Sequence, residues 1–374
     1  MKNFDEAWKK VKSNKGCAGI DKQSISDFQK QSEVYLREIQ RAVKNGMYMP
    51  MPTLRKFIPK SNKKLRPLGI PTVKDRVLQQ ATKNVIEQIF EMKFLDCSYG
   101  YRPDRNAQRA VKQIKNYIEQ GYTWVIDADV EKFFDSVDHN LLMSFVAEEI
   151  SDGKVLSLIE AWLKAGVMNQ GKQEETPIGT PQGGVISPLL ANIYLHEMDE
   201  QIIKTDSIRL VRYADDFVLL CKTKEDAEKA MEQVKNILTK LKLRLNKTKT
   251  KIVNVNREHF EFLGFKLKRT FGRLHITPRR DAIKKFKNTV RRITCRDQPM
   301  KPKLIAGKLN SVIRGWGNYF KIGDVTKIFK RLDCWIRTRM RTFIEKKKSH
   351  YANIRITNYV LKSKYKLASL MTLI

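Results

Sequence analysis

Two adjacent carboxylates, Asp215 and Asp216, interrupt the apolar run "RLVRYADDFVLLCK" at residues 209–222. The apolar residues on either side predict two short strands, and Asp is common in the tight turn that would join them. In such a turn each negative charge raises the pKa of the neighbouring carboxyl. A bound cation would compensate the pair, and carboxylate oxygens are ligands that Mg²⁺ prefers. The stretch therefore predicts a strand–turn–strand unit that holds divalent metal ions.

A further acid comes from the stretch "TWVIDADVEKFFDSV". Because side chains alternate between the two faces of a strand, Asp127 and Asp129 would share one face with Val125. For Asp127 alone, a structural ion pair is the preferred interpretation. Asp129 combined with the Asp215–Asp216 pair would instead hold two divalent ions, which can clamp the attacking and leaving oxygens of a phosphoryl displacement. A nucleic acid polymerase requires this chemistry.

The elements around these acids follow from periodicity and capping residues. The Gly-rich stretch "GTPQGGVISPLLANIYL" predicts a loop that leads into a helix, with Ser187 at the N-cap and Pro188 in the first turn. After Pro278, three stretches put apolar residues on one helical face and Lys or Arg on the others. They are "DAIKKFKNTVRRI", "LIAGKLNSVIRGWGNYF" and "VTKIFKRLDCWIRTRMRTFIEKKK". These stretches predict a small helical domain with a surface that faces nucleic acid.

The charge of the chain supports a polyanionic partner. The 374 residues contain 73 Lys and Arg against 40 Asp and Glu, a formal net charge of +33. The segment 271–374 holds 27 of the basic residues and 5 of the acidic ones. Nucleic acid or an acidic membrane surface would suit this excess. The chain has no run of about 18 apolar residues, and its five scattered cysteines suggest no disulfide framework, so we expect a soluble intracellular protein.

The order of the motifs resembles that of bacterial group II intron reverse transcriptases, and the resemblance covers nearly the whole chain. It rests on "NKGCAGID", "RPLGIPTVKDRVLQQA", "SYGYRPDRNAQRAV", "VIDADVEKFFDSVDH", "GTPQGGVISPLLANIYL", "VRYADDFVLL", "LRLNKTKTKI", "FEFLGFKL" and "LNSVIRGWGNYFKIG". The resemblance implies an α+β fold of the right-hand polymerase type, with fingers, a palm built on an antiparallel sheet and an α-helical thumb. The implied domains are an N-terminal helix and fingers at 1–110, the palm with a fingers insertion at 111–270, a maturase-type thumb at 271–345 and a short basic C-terminal extension at 346–374.

The resemblance also implies an activity, RNA-directed DNA synthesis on an RNA template by two-metal nucleotidyl transfer. Asp129, Asp215 and Asp216 match the metal-binding catalytic carboxylates of the family, which would hold two Mg²⁺ ions, with Mn²⁺ able to substitute. Lys249 matches a lysine that protonates the pyrophosphate leaving group, although a plain surface lysine is an equal alternative. The implied partners are dNTPs, an RNA–DNA duplex, and a template RNA with a structured intron or noncoding RNA.

Further residues match substrate contacts of the family. Lys60 and Arg66 would grip the triphosphate, because a guanidinium and an ammonium both suit phosphate. Phe134 would lie under the incoming sugar and exclude a ribose 2′-hydroxyl. Gln182 and Gly183 would contact the nascent base pair. The candidates for contacts to nucleic acid are Arg102, Arg105, Lys284, Lys287, Arg291 and Arg314, and for Arg102 and Arg105 structural ion pairing is an equal alternative.

The biological role stays open at this stage. No Cys/His-rich nuclease module follows the thumb pattern, so we do not expect cleavage of target DNA. Three roles fit the residues: an intron-encoded enzyme, a recruited enzyme that acts with a noncoding RNA in antiphage defence, or mainly a splicing maturase. A nonspecific nucleic acid or membrane-surface binder is disfavoured by the set of motifs. We expect a location in the bacterial cytoplasm and no membrane partner, while the sequence leaves the oligomeric state open.

Overall fold

The computed structural model describes residues 1–59, 65–169, 172–174, 177–180, 182–346 and 355–374. The chain forms two compact units. The first unit comprises Met1–Ala110 and Ala128–Ile252, and the second unit comprises Val111–Asp127 and Val253–Ile374.

The helices, in chain order, are α1 (Lys2–Ser13), α2 (Ile25–Lys30), α3 (Ser32–Lys44), α4 (Val73–Glu91), α5 (Ala107–Glu119), α6 (Phe133–Ser136), α7 (His139–Glu149), α8 (Gly153–Lys164), α9 (Ser187–Ile203), α10 (Lys224–Lys240), α11 (Arg280–Ile293), α12 (Pro302–Phe320), α13 (Thr326–Ile344), α14 (Asn358–Ser363) and a 3-10 helix at Leu370–Leu373. The strands are β1 (Thr53–Pro59), β2 (Leu65–Ile70), β3 (Trp124–Asp129), β4 (Val167–Asn169), β5 (Lys172–Glu174), β6 (Ile208–Tyr213), β7 (Asp216–Cys221), β8 (Lys251–Asn254), β9 (Phe260–Phe262), β10 (Phe265–Thr270) and β11 (Arg273–Pro278). None of the helices that the structure describes is both long and apolar enough to cross a membrane.

The predicted strand–turn–strand around the paired acids is confirmed. Strands β6 and β7 are antiparallel, and their register runs from Ile208 opposite Cys221 to Tyr213 opposite Asp216. Two residues therefore make the turn, and the first of them, Ala214, has a positive φ of 58°. A positive φ at this position is typical of the tight turns that join twisted strands. The hairpin belongs to a sheet with the strand order β6-β7-β3-β8.

A second sheet of the first unit carries the basic strand pair of the N-terminal region. Its order is β2-β1-β4-β5, with β1 antiparallel to β2 and parallel to β4. The amide of Gly69, in β2, donates a hydrogen bond of 2.7 Å to the carbonyl of Gln182. This bond ties β2 to the loop that precedes α9.

Helix α9 differs from the prediction at its first residue. Ile186 is the N-cap and makes no side-chain cap, so Ser187 lies inside the helix and the predicted Ser187 N-cap is wrong. Pro188 does occupy the first turn, as predicted. Ile186 and Ser187 are both buried, so the helix begins inside the packed core rather than at an exposed serine.

The three basic amphipathic helices of the second unit are confirmed as α11, α12 and α13. Trp316 of α12 packs its ring 4.7 Å from Phe286, 4.7 Å from Phe320 and 5.8 Å from Phe329, measured between centroids. These aromatic residues form the core of the helical part. The three-stranded sheet of this unit has the order β11-β10-β9.

Candidate active site

The three predicted catalytic acids lie at the ends of neighbouring segments of the β6-β7-β3-β8 sheet. Asp129 is the last residue of β3, Asp215 lies in the turn and Asp216 opens β7. Burial raises the pKa of the Asp215 carboxyl, and the charge of Asp129 raises it further. The structure therefore brings Asp129 within electrostatic reach of the Asp215–Asp216 pair, as the sequence predicted.

Lys249, the predicted proton donor, lies against the first of these acids. Its ammonium donates to both carboxylate oxygens of Asp129, at 2.9 Å to Oδ1 and 2.8 Å to Oδ2. Asn246 adds a side-chain bond of 3.0 Å to Oδ2, and its backbone amide donates to the Asp129 carbonyl at 2.8 Å. Sequence reasoning missed Asn246, although it stands inside the quoted motif "LRLNKTKTKI". The ion pair with Lys249 offsets one of the negative charges in the site.

The side chains of this cluster suit a divalent ion chemically. In the part of the chain that the structure describes, no three His, Cys, Asp or Glu side chains are arranged to hold one metal ion, and Lys249 occupies the carboxylate of Asp129. The raised pKa of Asp215 nevertheless marks negative charge that the protein leaves without full compensation. Carboxylate oxygens with such excess charge are the ligands that hard divalent cations prefer. The residues thus fit divalent ions once Lys249 releases Asp129.

The predicted triphosphate and base-pair contacts are brought together at β2. Arg66 is exposed and donates through Nε to Oε1 of Gln182 at 2.8 Å. Gly183 has a φ of 119°, and a Cβ atom there would overlap the carbonyl of Gly69, so no larger residue fits. The Arg66 charge also acts on Asp215, whose pKa it lowers against the effect of burial. Lys60, the other predicted triphosphate contact, lies outside the described residues.

The predicted sugar contact, Phe134, is a buried residue of α6. It lines a cavity of about 280 Å³ together with Gln182, Arg55 and Gly69. Its carbonyl accepts a hydrogen bond of 2.7 Å from the Thr180 amide, which attaches the loop before α9 to this helix. The structure places Phe134 and Gln182 on the walls of one cavity.

Tyr101 is a residue near the acids that the sequence did not single out. Its side chain is 51% exposed, and its ring lies 6.3 Å from that of Tyr213 between centroids. Burial of its hydroxyl raises the pKa of Tyr101, and the charge of Asp215 adds to this rise. The signal in the sequence was the aromatic stretch "SYGYRPDRN", in which only Arg102 and Arg105 were predicted to have a role.

The contacts of Arg102 and Arg105 favour the structural alternative. Arg102 forms a bidentate ion pair with Glu91 and donates to the carbonyls of Leu95, Ser98 and Phe94, and its side chain is 3% exposed. Arg105 pairs with Asp96 at 2.6 Å. Both guanidinium groups hold the loop that follows α4.

The basic candidates in the second unit occupy two surfaces. Lys284, Lys287 and Arg291 lie on α11, and the charged groups of the last two each lie 5.6 Å from the ring centroid of Trp335. Arg314 instead lines a cavity of about 800 Å³ with residues of α13, α14 and the C-terminal segment. We call the first group, with Trp335, the α11 surface.

The most deeply buried charge of the first unit is another residue that sequence reasoning missed. Arg212 of β6 is fully buried and pairs with Asp199 of α9, with Nη2 2.5 Å from Oδ2. Burial lowers the pKa of Arg212, but the adjacent Asp199 carboxylate outweighs this and raises it. The sequence did contain a pattern that indicated this pair. Arg212 lies on the same face of β6 as the buried residues Ile208 and Leu210, and Asp199 lies on the apolar stripe of α9.

Comparisons with known proteins identify the family of the chain. Residues 58–267 match the family "Reverse transcriptase (RNA-dependent DNA polymerase)", and residues 283–359 match "Group II intron, maturase-specific domain". Protein YkfC of Escherichia coli strain K12 is 37% identical over 308 residues, which cover 72% of this chain and 81% of YkfC. The group II intron-encoded protein LtrA of Lactococcus lactis subsp. cremoris is 34% identical over 329 residues, which cover 70% of this chain.

The chain spans 54% of the length of LtrA, so that relative extends well beyond the shared part. Among solved structures, telomerase from Candida albicans superposes with a TM-score of 0.51 at 13% sequence identity, covering 88% of this chain and 65% of the telomerase chain. This similarity concerns the fold, and it confirms the predicted right-hand polymerase architecture.

Proposed function

Because the chain belongs to the reverse transcriptase family and continues into a group II intron maturase-specific domain, we propose that it is an RNA-directed DNA polymerase of the group II intron-encoded type. The observation that carries this proposal is the cluster of Asp129, Asp215 and Asp216 at one end of a sheet, with Lys249 and Arg66 beside it. The fingers, palm and thumb boundaries at 110, 270 and 345, and the extension at 346–374, stay predictions.

Polymerases of this family use divalent metal ions. We assign two Mg²⁺ ions to Asp129, Asp215 and Asp216, with Mn²⁺ as a substitute. Bound there, such ions would favour ionisation of the primer 3′-hydroxyl and neutralise charge on the triphosphate. Lys249 must leave Asp129 when the carboxylate takes up its ligand role. Its ammonium would then be able to donate a proton to the pyrophosphate leaving group.

The incoming nucleotide is assigned to the cavity that Phe134 and Gln182 line. Arg66, and Lys60 from outside the described residues, would hold the triphosphate. Phe134 on the cavity wall would meet a ribose 2′-hydroxyl, which favours a deoxyribonucleotide. Gln182 is fixed by Arg66 and by Gly69, so its side chain is positioned before a base pair arrives. Pre-positioned contacts of this kind lower the entropic cost of reaching the reactive geometry.

The partner RNA is assigned to the basic helices. The charged groups of Lys287 and Arg291 on the α11 surface lie over the ring of Trp335, where a phosphate could reach them, and Arg291 is exposed. The match of residues 283–359 to a maturase-specific domain supports a structured intron RNA as the ligand, with the RNA–DNA duplex as the product. The same match favours assistance of RNA splicing as a second function of the chain. We place the protein with its RNA in the bacterial cytoplasm.

Primer extension tests the proposed polymerase directly. The purified chain, a DNA primer annealed to an RNA template, dNTPs and Mg²⁺ should yield cDNA, and Asp215→Ala combined with Asp216→Ala should reduce the rate by at least about 10³-fold. Affinity for the RNA–DNA duplex should not fall below that of the wild-type chain, because neither carboxylate by itself attracts phosphate. Wild-type protein that folds and binds the duplex but extends no primer would overturn the proposal. Loss of duplex binding in the double variant would contradict the assignment of these acids to metal binding.

A further inference from the structure

The turn that carries the catalytic acids has a demanding backbone. Ala214 adopts a positive φ of 58°, which L-residues other than Asn, Asp and Gly rarely take. The next residue, Asp215, is partly buried and experiences the charge of Asp129. A residue held at a positive φ costs strain energy, which contacts from surrounding groups must offset.

Arg212, two residues before Ala214, reaches the turn with one part of its guanidinium. Its Nε and Nη2 atoms are directed to Asp199, at 2.8 Å to Oδ1 and 2.5 Å to Oδ2 respectively. Its Nη1 atom points elsewhere and donates to the carbonyl of Ala214 at 3.2 Å and to Oδ1 of Asn192 at 2.9 Å. One side of the guanidinium therefore balances charge, and the other holds the turn.

Asn192 extends the same connection to the opposite side of the turn. Its Nδ2 atom donates to the carbonyl of Gly100 at 2.8 Å. Gly100 lies so close to the turn that a Cβ atom would overlap the amide nitrogen of Ala214. The residues before Gly100 run beside β6, where the Arg212 amide donates to Cys97 and the Tyr99 amide donates to Arg212, both at 2.8 Å. The turn is enclosed between this loop and Arg212.

The branching of Arg212 separates two roles. Charge balance alone would be satisfied by the bonds between Arg212 and Asp199, which are complete without Asn192. The bonds from Nη1 to Asn192 and Ala214 do not contribute to the ion pair with Asp199. Together with the bond from Asn192 to Gly100, they connect helix α9 to both sides of the catalytic turn. Asn192 is 1% exposed and Arg212 is fully buried, so these bonds are shielded from bulk solvent.

We propose that Arg212, Asn192 and Gly100 form a turn-support cluster that positions Asp215 and Asp216 for metal binding and nucleotidyl transfer. Arg212 and Asn192 are positioning residues, since they act through the backbone of the turn and touch no reacting atom. The inference rests on the proposed polymerase function for its kinetic consequence, but the support of the turn itself does not.

Asn192→Ala is the informative variant, because it removes the branch to Gly100 and leaves the ion pair between Arg212 and Asp199 in place. Tyr194→Phe is a matched control on the same helix. Its hydroxyl is also buried and donates one hydrogen bond, of 2.7 Å to the carbonyl of Leu241, away from the turn. Asn192→Ser can restore one of the two lost bonds and serves as the conservative variant.

We expect Asn192→Ala to lower kcat for primer extension about tenfold to a hundredfold, since small displacements of reacting groups have effects of this size. The Mg²⁺ concentration for half-maximal rate should rise, while KM for dNTP changes by less than about twofold. Asn192→Ser should lie between Asn192→Ala and the wild type. Tyr194→Phe should lower the melting temperature to a similar degree and leave kcat and the Mg²⁺ requirement unchanged.

Amide hydrogen exchange tests the turn-support cluster without requiring polymerase activity. Exchange at the turn amides 213–216 should be faster in Asn192→Ala than in Tyr194→Phe, whether or not the wild-type chain extends a primer. The proposed role of the turn-support cluster would be wrong if the turn amides exchanged equally fast in Asn192→Ala and Tyr194→Phe. It would also be wrong if the two variants had equal kcat values at an equal loss of melting temperature. If Asn192→Ala should not fold, Asn192→Ser gives the same comparison with one bond restored.

Discussion

Asp215 of the first unit and Asp333 of the second unit show opposite uses of the same side chain. Asp333 of α13 accepts hydrogen bonds from the Leu370 amide at 2.9 Å, the Met371 amide at 3.2 Å and the Ser369 hydroxyl at 2.5 Å. Every one of these donors belongs to the C-terminal segment. Burial and the neighbouring Asp129 instead raise the pKa of Asp215.

The difference separates a carboxylate that the fold itself satisfies, Asp333, from one whose ionised form the fold disfavours, Asp215. The Asp333 carboxylate accepts hydrogen bonds from the first residues of the 3-10 helix and so attaches this helix to α13. These bonds stabilise the folded state. At Asp215 burial and the charge of Asp129 disfavour the ionised carboxylate, which is the form that the proposed metal binding requires. A carboxylate that the fold does not satisfy is the more informative sign of a functional site.

The largest expected effect is a pair of stability changes with opposite signs. Asp333→Ala removes three bonds to a charged acceptor and leaves two backbone amides without it, which should lower the free energy of unfolding by about 3 kcal/mol. Asp215→Asn should raise the free energy of unfolding at neutral pH, because it removes a charge whose burial Arg66 and Lys249 compensate only in part. Chemical denaturation in the presence of EDTA measures both.

The pH dependence of the same pair gives an independent check. The raised pKa of Asp215 means that the folded state binds the proton more tightly than the unfolded state. The stabilisation is therefore present at low pH and is lost as the pH rises from the ordinary Asp pKa through the raised one. This fall should be smaller in Asp215→Asn. A destabilised Asp215→Asn protein would show that the turn carboxylate is structural, and the contrast with Asp333 would fail.

A second pair of residues compares substrate selection with packing. Phe133 and Phe134 are both buried in α6, but Phe133 packs 6.3 Å from the Tyr194 ring between centroids, whereas Phe134 lines the cavity with Gln182. Phe134→Ala should relax the preference for dNTP over rNTP about tenfold to a hundredfold, since the wall against the 2′-hydroxyl is removed.

Phe133→Ala is the control for this prediction. It should destabilise the protein by a similar amount, because an equal volume of buried aromatic side chain is lost. Its selectivity between dATP and ATP, measured as the ratio of kcat/KM values, should equal that of the wild type. If both variants lose selectivity together, general loosening of α6 is the cause and Phe134 has no specific role at the sugar.

The sequence predicted the parts of the site that depend on local pattern. Alternating apolar residues around Asp215 and Asp216 indicated the hairpin, and helical periodicity after Pro278 indicated α11, α12 and α13. Strand alternation and charge grouped Asp129 with this pair, and the resemblance to group II intron reverse transcriptases, a family that the matches confirm, supplied Lys249 as a further member of the site. In the structure Lys249 does lie on Asp129.

Contacts between distant segments could not be predicted in the same way. The pairing of Arg212 with Asp199 requires the inward face of β6 to meet the apolar stripe of α9, and no single-strand pattern specifies that partner. Leu361 and Leu370 likewise lie in a segment that looks basic and short, yet both are buried in the second unit. Gly317 of α12 provides the space, because a Cβ atom there would overlap Leu373 and Leu370.

The smallest expected effect is on the salt dependence of RNA binding, compared between charges of the second unit and charges of the first. Lys287→Ala combined with Arg291→Ala removes two charges from the α11 surface, and it should reduce the slope of log affinity for RNA against log salt by about 1–2, since fewer counterions are released. Lys224→Ala combined with Lys235→Ala removes the same charge from α10 of the first unit. Those two lysines already pair with Glu228 and Glu232, so the slope should hardly change. Equal slopes for the two double variants would mean that net charge alone attracts RNA, and that the α11 surface has no particular part in binding it.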